Sequence, residues 1–277
     1  MQNTNSKTSV RLIALDMDGT LLRQDKTIHP DTVRDIEDAV RAGIHVVYSS
    51  GRSVDELGPY VKTLSPMRYA VCMSGALVYD FAENRSIYKK AIPQKYVREI
   101  AAEAKRADGM LHLLTEHAAI VRADQVTHMA DYQMGVFQQT YQQVCVLASD
   151  MEAEIQKRDA IEKVNIYYRS EEDRLRGCDA LKHLPLTFAF ADRTSLEINA
   201  AGVTKAAGLS VLTAYLCISM QETMGIGDQE NDRAMLEAVG CSVAMGNAVP
   251  AIKEICDYIT ADNEHNGVGE AIRKLCL

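Results

Sequence analysis

The chain has 277 residues, with 47% hydrophobic and 25% charged side chains, a composition typical of a globular protein of one or two domains. Its formal net charge of −8 disfavours nucleic acid and anionic membrane surfaces as partners, because both repel an acidic protein. The seven cysteines form no C-x-x-C pair, and the first nine residues lack the apolar stretch of a secretion signal. No apolar run approaches the ~18 residues that a bilayer requires, so we expect a cytoplasmic protein. Nothing in the sequence indicates an oligomeric state.

The N-terminal third of the chain alternates predicted strands and helices. Apolar runs predict buried strands over 10–15, 44–48 and 69–73. Apolar side chains at helical spacing predict a helix that begins near Pro30, and a Ser-x-x-Glu capping box predicts a second that begins at Ser53. This order is typical of a parallel sheet with helices on both faces.

The pattern changes after the third strand and returns late in the chain. We predict a hairpin of two short strands, 77–79 and 86–89, then a helix over 94–108 and a clear strand over 161–168. The first pattern resumes near Thr187, and further strands are predicted over 195–198, 223–226 and 242–245.

The simplest arrangement is an α/β protein in which one domain is inserted into another. Residues 1–82 and 187–277 form a doubly wound parallel-sheet core, and residues 83–186 form the inserted domain. Such insertion is tolerated where two chain ends lie close together on a domain surface.

Polar residues follow several core strands at the point where each strand ends. Asp16 and Asp18 follow the first strand, the segment 50–52 (Ser-Gly-Arg) follows the second, and Asp228 follows a late strand, with 231–232 (Asn-Asp) just beyond. Because the carboxyl ends of parallel strands meet at one edge, we expect these groups to converge.

Clustered carboxylates repel one another, and a divalent cation relieves that repulsion. Oxygen ligands favour Mg²⁺ over Zn²⁺, which prefers histidine and cysteine. A carboxylate is also a nucleophile toward phosphorus, and the Ser50 hydroxyl and Gly51 amide suit phosphate oxygens. The sequence therefore predicts a magnesium and phosphate site at this edge.

Four motifs in order resemble those of the haloacid dehalogenase (HAD) superfamily. They are D-x-D-G-T at 16–20, the tripeptide Ser-Gly-Arg at 50–52, G-V-T-K at 202–205 and G-D-x-x-N-D at 227–232. Segments 244–248 and 262–268 further resemble the Cof-type subfamily IIB. The resemblance implies a Rossmann-like core and, in the inserted segment, an α/β cap of the C2B type that closes over the site.

The resemblance also implies roles for the matching residues. Asp16 is expected to be the nucleophile, Asp18 the general acid and then the general base, and Lys205 the cation that neutralises the phosphoryl group and Asp16. Asp16, Asp228 and the backbone carbonyl of Asp18 are expected to hold Mg²⁺, with Asp232 orienting this shell.

The remaining motif residues are expected to contact substrate. Ser50 and the Gly51 amide would hold the phosphoryl group, and Asn231 would contact the phosphate or a metal-bound water. Arg52 either contacts substrate or pairs with a carboxylate, and both readings stay open. Ser74 stands where the family commonly has asparagine, which puts a substrate contact at that position in doubt. Four tyrosines either line a sugar pocket or belong to the cap core and surface: Tyr132, Tyr141, Tyr167 and Tyr168.

The function implied is that of a Mg²⁺-dependent phosphatase of small phosphorylated metabolites, with sugar phosphates foremost, acting through an aspartyl phosphate. One alternative is a phosphomutase or phosphotransferase that uses the same core with a sugar hydroxyl as acceptor. Another is a non-catalytic metabolite-binding regulatory protein. The complete set of Asp16, Asp18, Lys205 and Asp228 argues against the latter.

Overall fold

The computed structural model of the chain describes residues 10–277, which form two β-sheets flanked by helices. The fourteen strands are β1 (Leu12–Leu15), β2 (His45–Ser49), β3 (Tyr69–Cys72), β4 (Leu77–Asp80), β5 (Arg85–Lys89), β6 (Met110–Thr115), β7 (Ala118–Arg122), β8 (Val146–Ala148), β9 (Lys163–Tyr167), β10 (Leu186–Ala189), β11 (Ser195–Ala200), β12 (Thr223–Gly227), β13 (Cys241–Ala244) and β14 (Tyr258–Ile259).

Eleven α-helices connect these strands within residues 10–277, and short 3₁₀ turns complete the connections. The helices are α1 (Pro30–Arg41), α2 (Val54–Val61), α3 (Gln94–Arg106), α4 (Ala123–Val126), α5 (Gln138–Val144), α6 (Met151–Lys157), α7 (Glu171–Leu181), α8 (Lys205–Tyr215), α9 (Arg233–Ala238), α10 (Pro250–Lys253) and α11 (Gly267–Leu275). Over the described part of the chain, none of them has the length and apolar character that crossing a membrane requires.

The larger sheet has eight strands in the order β14-β13-β12-β1-β2-β3-β4-β5. The six strands from β14 to β3 run parallel to their neighbours, as predicted for the core. The hairpin β4–β5 continues this sheet in the antiparallel sense, so the sheet is mixed. Strand β5 therefore belongs to the core sheet, although its residues fall within the segment 83–186 that we expected to be inserted.

Strand β1 occupies the centre of the larger sheet, between β12 and β2. All four of its residues are fully buried, which explains their continuous apolar character, because helices cover both faces of a parallel sheet. The chain leaves β1 directly into Asp16, so the central strand places this carboxylate at the carboxyl edge.

The smaller sheet has six strands in the order β10-β11-β9-β6-β7-β8. Strand β11 pairs antiparallel with both β9 and β10, so residues 186–200 belong to this second sheet. The prediction that the core pattern resumes near residue 187 is therefore wrong for these two strands. Sequence order alone does not say which sheet a short strand joins, since pairing with distant partners decides its position.

Candidate active site

Three core elements bring the predicted motif residues to one point. Asp16 follows β1, Asp228 follows β12, and Lys205 is the first residue of α8, whose start is fixed by the Thr204 side chain accepting a hydrogen bond from the Ala207 amide. The Lys205 ammonium lies 2.5 Å from Asp16 Oδ1 and is fully buried. Residues nearly 190 positions apart in sequence thus share one ion pair.

Three buried carboxylates surround this lysine. Oxygen atoms of Asp16, Asp228 and Asp232 all lie within 4.8 Å of one another, and Lys205 Nζ lies 2.6 Å from Asp232 Oδ1. Burial, followed by repulsion from Asp232, raises the pKa of Asp16 well above its ordinary value and that of Asp228 to about 7. When all three acids are ionised, the cluster of three carboxylates and one lysine carries two excess negative charges.

The backbone around the cluster is shaped to hold the carboxylates close together. Gly19 has φ +84°, and a Cβ there would lie 2.4 Å from Asp228 Oδ2, so only glycine fits. The Thr20 hydroxyl donates to Asp228 Oδ1 at 3.1 Å. Asp232 Oδ2 accepts the amides of Asp228 and Gln229 at 3.0 and 3.1 Å.

The cluster fits a hard divalent cation. Its donors are all carboxylate oxygens, the set that Mg²⁺ prefers, and a charge of +2 cancels the excess negative charge. Both Asp232 oxygens are already engaged, Oδ1 by Lys205 and Oδ2 by backbone amides. Asp16 and Asp228 are thus the carboxylates best placed to hold the metal.

The Asp18 carboxylate is not part of this cluster. Its carboxylate accepts two hydrogen bonds from the Arg52 guanidinium, at 2.8 and 2.9 Å, and one from the Lys26 ammonium at 2.8 Å. Desolvation alone would raise the pKa of Asp18, but these two cations outweigh it and hold the pKa below its usual range. Arg52 thus pairs with a carboxylate and also lines the cavity described below, so contact with substrate stays a prediction.

A cavity of about 270 Å³ opens beside these residues. Asp16, Asp18 and the predicted phosphate-binding segment 50–52 line its core side. Asn231 also lines the cavity, and its buried Oδ1 has no hydrogen-bond partner among residues 10–277. The structure thus brings the motif residues expected to contact substrate to the wall of one cavity.

A buried polar joint connects the smaller sheet to the phosphate-binding segment. Lys163 of β9 forms an ion pair of 2.8 Å with Glu197 of β11, and its ammonium also donates to the Gly51 carbonyl and the Ser74 hydroxyl. The Ser74 hydroxyl donates in turn to Glu197. A Cβ at Gly51 would lie 2.8 Å from Glu197 Oε1 and 2.9 Å from Lys163 Nζ, so a larger residue there would displace the joint.

The sequence reasoning missed this joint, although the sequence carried a signal for it. Polar side chains alternate along β9 at Lys163 and Asn165, and along β11 at Ser195, Glu197 and Asn199. Alternate residues of a strand share a face, so two otherwise apolar strands present a polar face that is buried. Buried polar faces are expensive unless they meet polar partners, which indicates a site.

Lys163→Met is expected to lower the free energy of unfolding by about 3–5 kcal/mol, because it leaves the Glu197 carboxylate buried without its cation. The control Lys89→Met breaks an exposed ion pair with Glu116 and should cost less than about 1 kcal/mol. Urea denaturation of both variants measures the difference. Equal stabilities would show that the buried joint contributes no more than a surface pair.

A second polar network lies behind the joint. Tyr141 and Tyr167 line the cavity, with their hydroxyl oxygens 2.9 Å apart, and His112 Nδ1 lies 3.2 Å from the Tyr141 hydroxyl. Asn165 donates to the Tyr167 hydroxyl at 3.1 Å. Two of the four tyrosines singled out in the sequence thus face the cavity, whereas Tyr132 and Tyr168 are buried away from its lining.

His112 is expected to make the protein less stable as the pH falls. Burial lowers the pKa of His112 to about 4, so between pH 6.5 and 4 only the unfolded state takes up its proton. Protonation of His112 therefore does not reduce the free energy of unfolding above pH 6.5, but it lowers that free energy by about 2 kcal/mol on going to pH 5. Urea denaturation at pH 7 and pH 5 measures this decrease. It should be smaller in the variant His112→Gln than in the wild type by about the same 2 kcal/mol. An identical loss would contradict this assignment.

Comparison with known proteins places these features in a family. The sequence model of the haloacid dehalogenase-like hydrolases matches residues 13–272. The chain is 28% identical to the 5-amino-6-(5-phospho-D-ribitylamino)uracil phosphatase YcsE of Bacillus subtilis, over 97% of this chain and 96% of that protein.

Two solved structures share the whole architecture. A haloacid dehalogenase-like hydrolase from B. subtilis superposes with a TM-score of 0.86 at 25% identity, covering 96% of this chain and all of that one. The HAD subclass IIB sugar phosphatase BT4131 superposes with a TM-score of 0.82 at 24% identity, over 95% and 98% of the two chains. The chain belongs to the haloacid dehalogenase-like hydrolase family, and it is a phosphatase of the Cof-type branch with the subclass IIB fold.

Proposed function

We propose that this protein is a Mg²⁺-dependent phosphatase that hydrolyses phosphate monoesters of small metabolites, sugar phosphates foremost, through an aspartyl phosphate on Asp16. The observation that carries the proposal is the convergence of three buried carboxylates and one buried lysine beside a cavity. This arrangement places a nucleophile, a cation and polar groups that can contact a phosphate at one point.

In the first step, an Asp16 oxygen attacks phosphorus while the bond from phosphorus to the leaving oxygen breaks. Asp18 donates a proton to that leaving oxygen. In the second step, water attacks phosphorus, Asp18 takes a proton from it, and Asp16 is released with inorganic phosphate. Lys205 lies against Asp16 and is placed to balance the charge that accumulates on the phosphoryl oxygens.

The pairing of Asp18 sets a requirement on the first step. With Arg52 and Lys26 against it, the Asp18 carboxylate is ionised and suited to accept a proton rather than to give one. Donation to the leaving oxygen therefore requires bound substrate to draw these two cations away, after which Asp18 takes up a proton from solvent and passes it to the leaving oxygen. Both cations are then free to face the phosphate. The same rearrangement thus allows Asp18 to carry a proton and brings positive charge to the phosphate.

The metal fits on the residues present. Asp16, Asp228 and the backbone carbonyl of Asp18 would hold Mg²⁺, which would supply positive charge against the phosphate oxygens. Asp232 would orient this shell through Lys205 and the backbone amides that its carboxylate engages. Ser50, the Gly51 amide and Asn231 would contact the phosphoryl group from the cavity wall.

The test is a panel of phosphorylated metabolites incubated with purified protein and Mg²⁺, with product analysis. We expect release of free phosphate from sugar monophosphates, abolished by EDTA and restored by excess Mg²⁺. Transfer of the phosphoryl group to a second sugar instead of water would make the protein a phosphotransferase. Absence of Mg²⁺-dependent turnover across the panel would overturn the catalytic proposal.

A further inference from the structure

The cavity has a second wall, built by the smaller sheet. Four buried residues of β9 and β11 line it: Asn165, Tyr167, Ser195 and Glu197. They form two cross-strand pairs, Asn165 with Glu197 and Ser195 with Tyr167. We name this surface the cap wall. It faces the motif residues across the cavity, so it meets the part of a substrate that is not phosphate.

Two atoms of the cap wall have no hydrogen-bond partner in the part of the chain that the structure describes. The side chains of Asn165 and Ser195 belong to residues only 5% and 2% exposed, yet Asn165 Oδ1 and Ser195 Oγ make no hydrogen bond. A buried polar atom left unpaired costs about 1–3 kcal/mol. Because both residues line the cavity, a bound group that hydrogen-bonds to them recovers this cost.

The hydrogen-bonding capacity of the cap wall is mainly that of an acceptor. Asn165 uses its amide nitrogen on Tyr167, which leaves its carbonyl oxygen as the unpaired group of a residue that lines the cavity. The carboxylates of Glu197 and Asp192 also line it. The three donor positions of Lys163 are taken by Gly51, Ser74 and Glu197, so this lysine has none left for a ligand.

Positive charge is scarce on this side of the cavity. Among the described residues that line it, Arg52 is the single cation, and it lies on the opposite wall, where it pairs with Asp18 and would face the phosphate of a bound substrate. Lys26, close by, is bound to the same carboxylate. A second phosphate or a carboxylate on the substrate would thus meet the hydrogen-bond acceptors of the cap wall and the nearby Asp192 carboxylate, a juxtaposition of like charges that costs several kcal/mol.

We propose that the cap wall selects leaving groups that donate hydrogen bonds, namely neutral polyols and amino-polyols, and excludes leaving groups that carry a second anion. This inference rests on the proposed phosphatase function, and it further specifies the charge that the leaving group carries.

Matched substrates test the inference on the wild-type protein with Mg²⁺. Sorbitol 6-phosphate and 6-phosphogluconate have the same open chain and differ by a terminal hydroxymethyl group or carboxylate. We expect kcat/KM to be about 10²-fold higher for sorbitol 6-phosphate. Glucosamine 6-phosphate should be hydrolysed at least as well as glucose 6-phosphate, because its ammonium meets acceptors.

Two variants test whether the cap wall is responsible. Ser195→Ala removes one unpartnered hydroxyl and should lower kcat/KM for sorbitol 6-phosphate by about three- to tenfold. Asn165→Asp keeps the shape and adds a negative charge, so the preference for glucosamine 6-phosphate over glucose 6-phosphate should rise about tenfold. The control Ser210→Ala, on the exposed side of α8, should change neither value.

Equal or higher kcat/KM for 6-phosphogluconate would overturn the inference while leaving the phosphatase function intact. Unchanged kcat/KM in Ser195→Ala together with unchanged selectivity in Asn165→Asp would likewise remove the cap wall from recognition. If no phosphate monoester is hydrolysed at all, including a simple aryl phosphate, the proposed function itself fails and this inference fails with it.

Discussion

Asp16→Asn is expected to lower kcat for an aryl phosphate by about 10⁴-fold or more, on the scale seen when a catalytic nucleophile is removed. The amide keeps the shape of the carboxylate but cannot attack phosphorus. The fold should survive, because the substitution also removes one of three mutually repelling carboxylates. We therefore expect thermal stability without Mg²⁺ to be unchanged or higher.

The measurement is steady-state kinetics at saturating Mg²⁺, with thermal unfolding followed in the same preparations. Asp38→Asn is a matched control, since Asp38 lies on the exposed face of α1 and pairs there with Arg41. It should retain wild-type kcat. A near wild-type rate for Asp16→Asn would show that another group attacks phosphorus and would end the proposed mechanism.

Lys205→Met is expected to lower kcat by about 10²–10³-fold, the usual cost of losing one group that stabilises transition-state charge. It should also destabilise the protein by about 3–5 kcal/mol without Mg²⁺, because Asp16 and Asp232 lose the cation buried between them. Adding Asp16→Asn to this variant should recover part of the stability, since one carboxylate fewer remains unpaired.

Urea denaturation in EDTA and steady-state kinetics in Mg²⁺ separate these two effects. Lys62→Met replaces an exposed lysine at the end of α2 and should leave both quantities unchanged. If Lys205→Met retained wild-type kcat, the lysine would serve only to hold the acids together. If its stability were unchanged, the ion pairs described above would contribute nothing to folding.

Local signals in the sequence predicted most of the core. The capping box at Ser53 and Glu56 forms both of its hydrogen bonds, at 2.8 and 3.3 Å, and helix α2 begins there. The motif residues converge because parallel strands end at one edge, a rule that needs only strand order. These features depend on neighbours in sequence or on simple topology, so a single sequence contains them.

Contacts between distant side chains were not predictable in the same way. Sheet membership of β10 and β11 depends on pairing with β9, and the two possible sheets demand similar residues. The orientation of Asp18 toward Arg52 depends on which cation lies within reach once the loops fold. The joint of Lys163 with Glu197 links strands of the smaller sheet to the core segment at Gly51, and its only local trace is the alternation of polar residues.

The most direct test of the central claim is rapid acid quenching of the enzyme during turnover with Mg²⁺ and a sugar monophosphate, followed by mass spectrometry of its peptides. The proposed mechanism predicts one phosphoryl group on the peptide that contains Asp16, present only when Mg²⁺ and substrate are both supplied. A phosphoryl group on another residue, or continued turnover with no covalent adduct at any quench time, would contradict it.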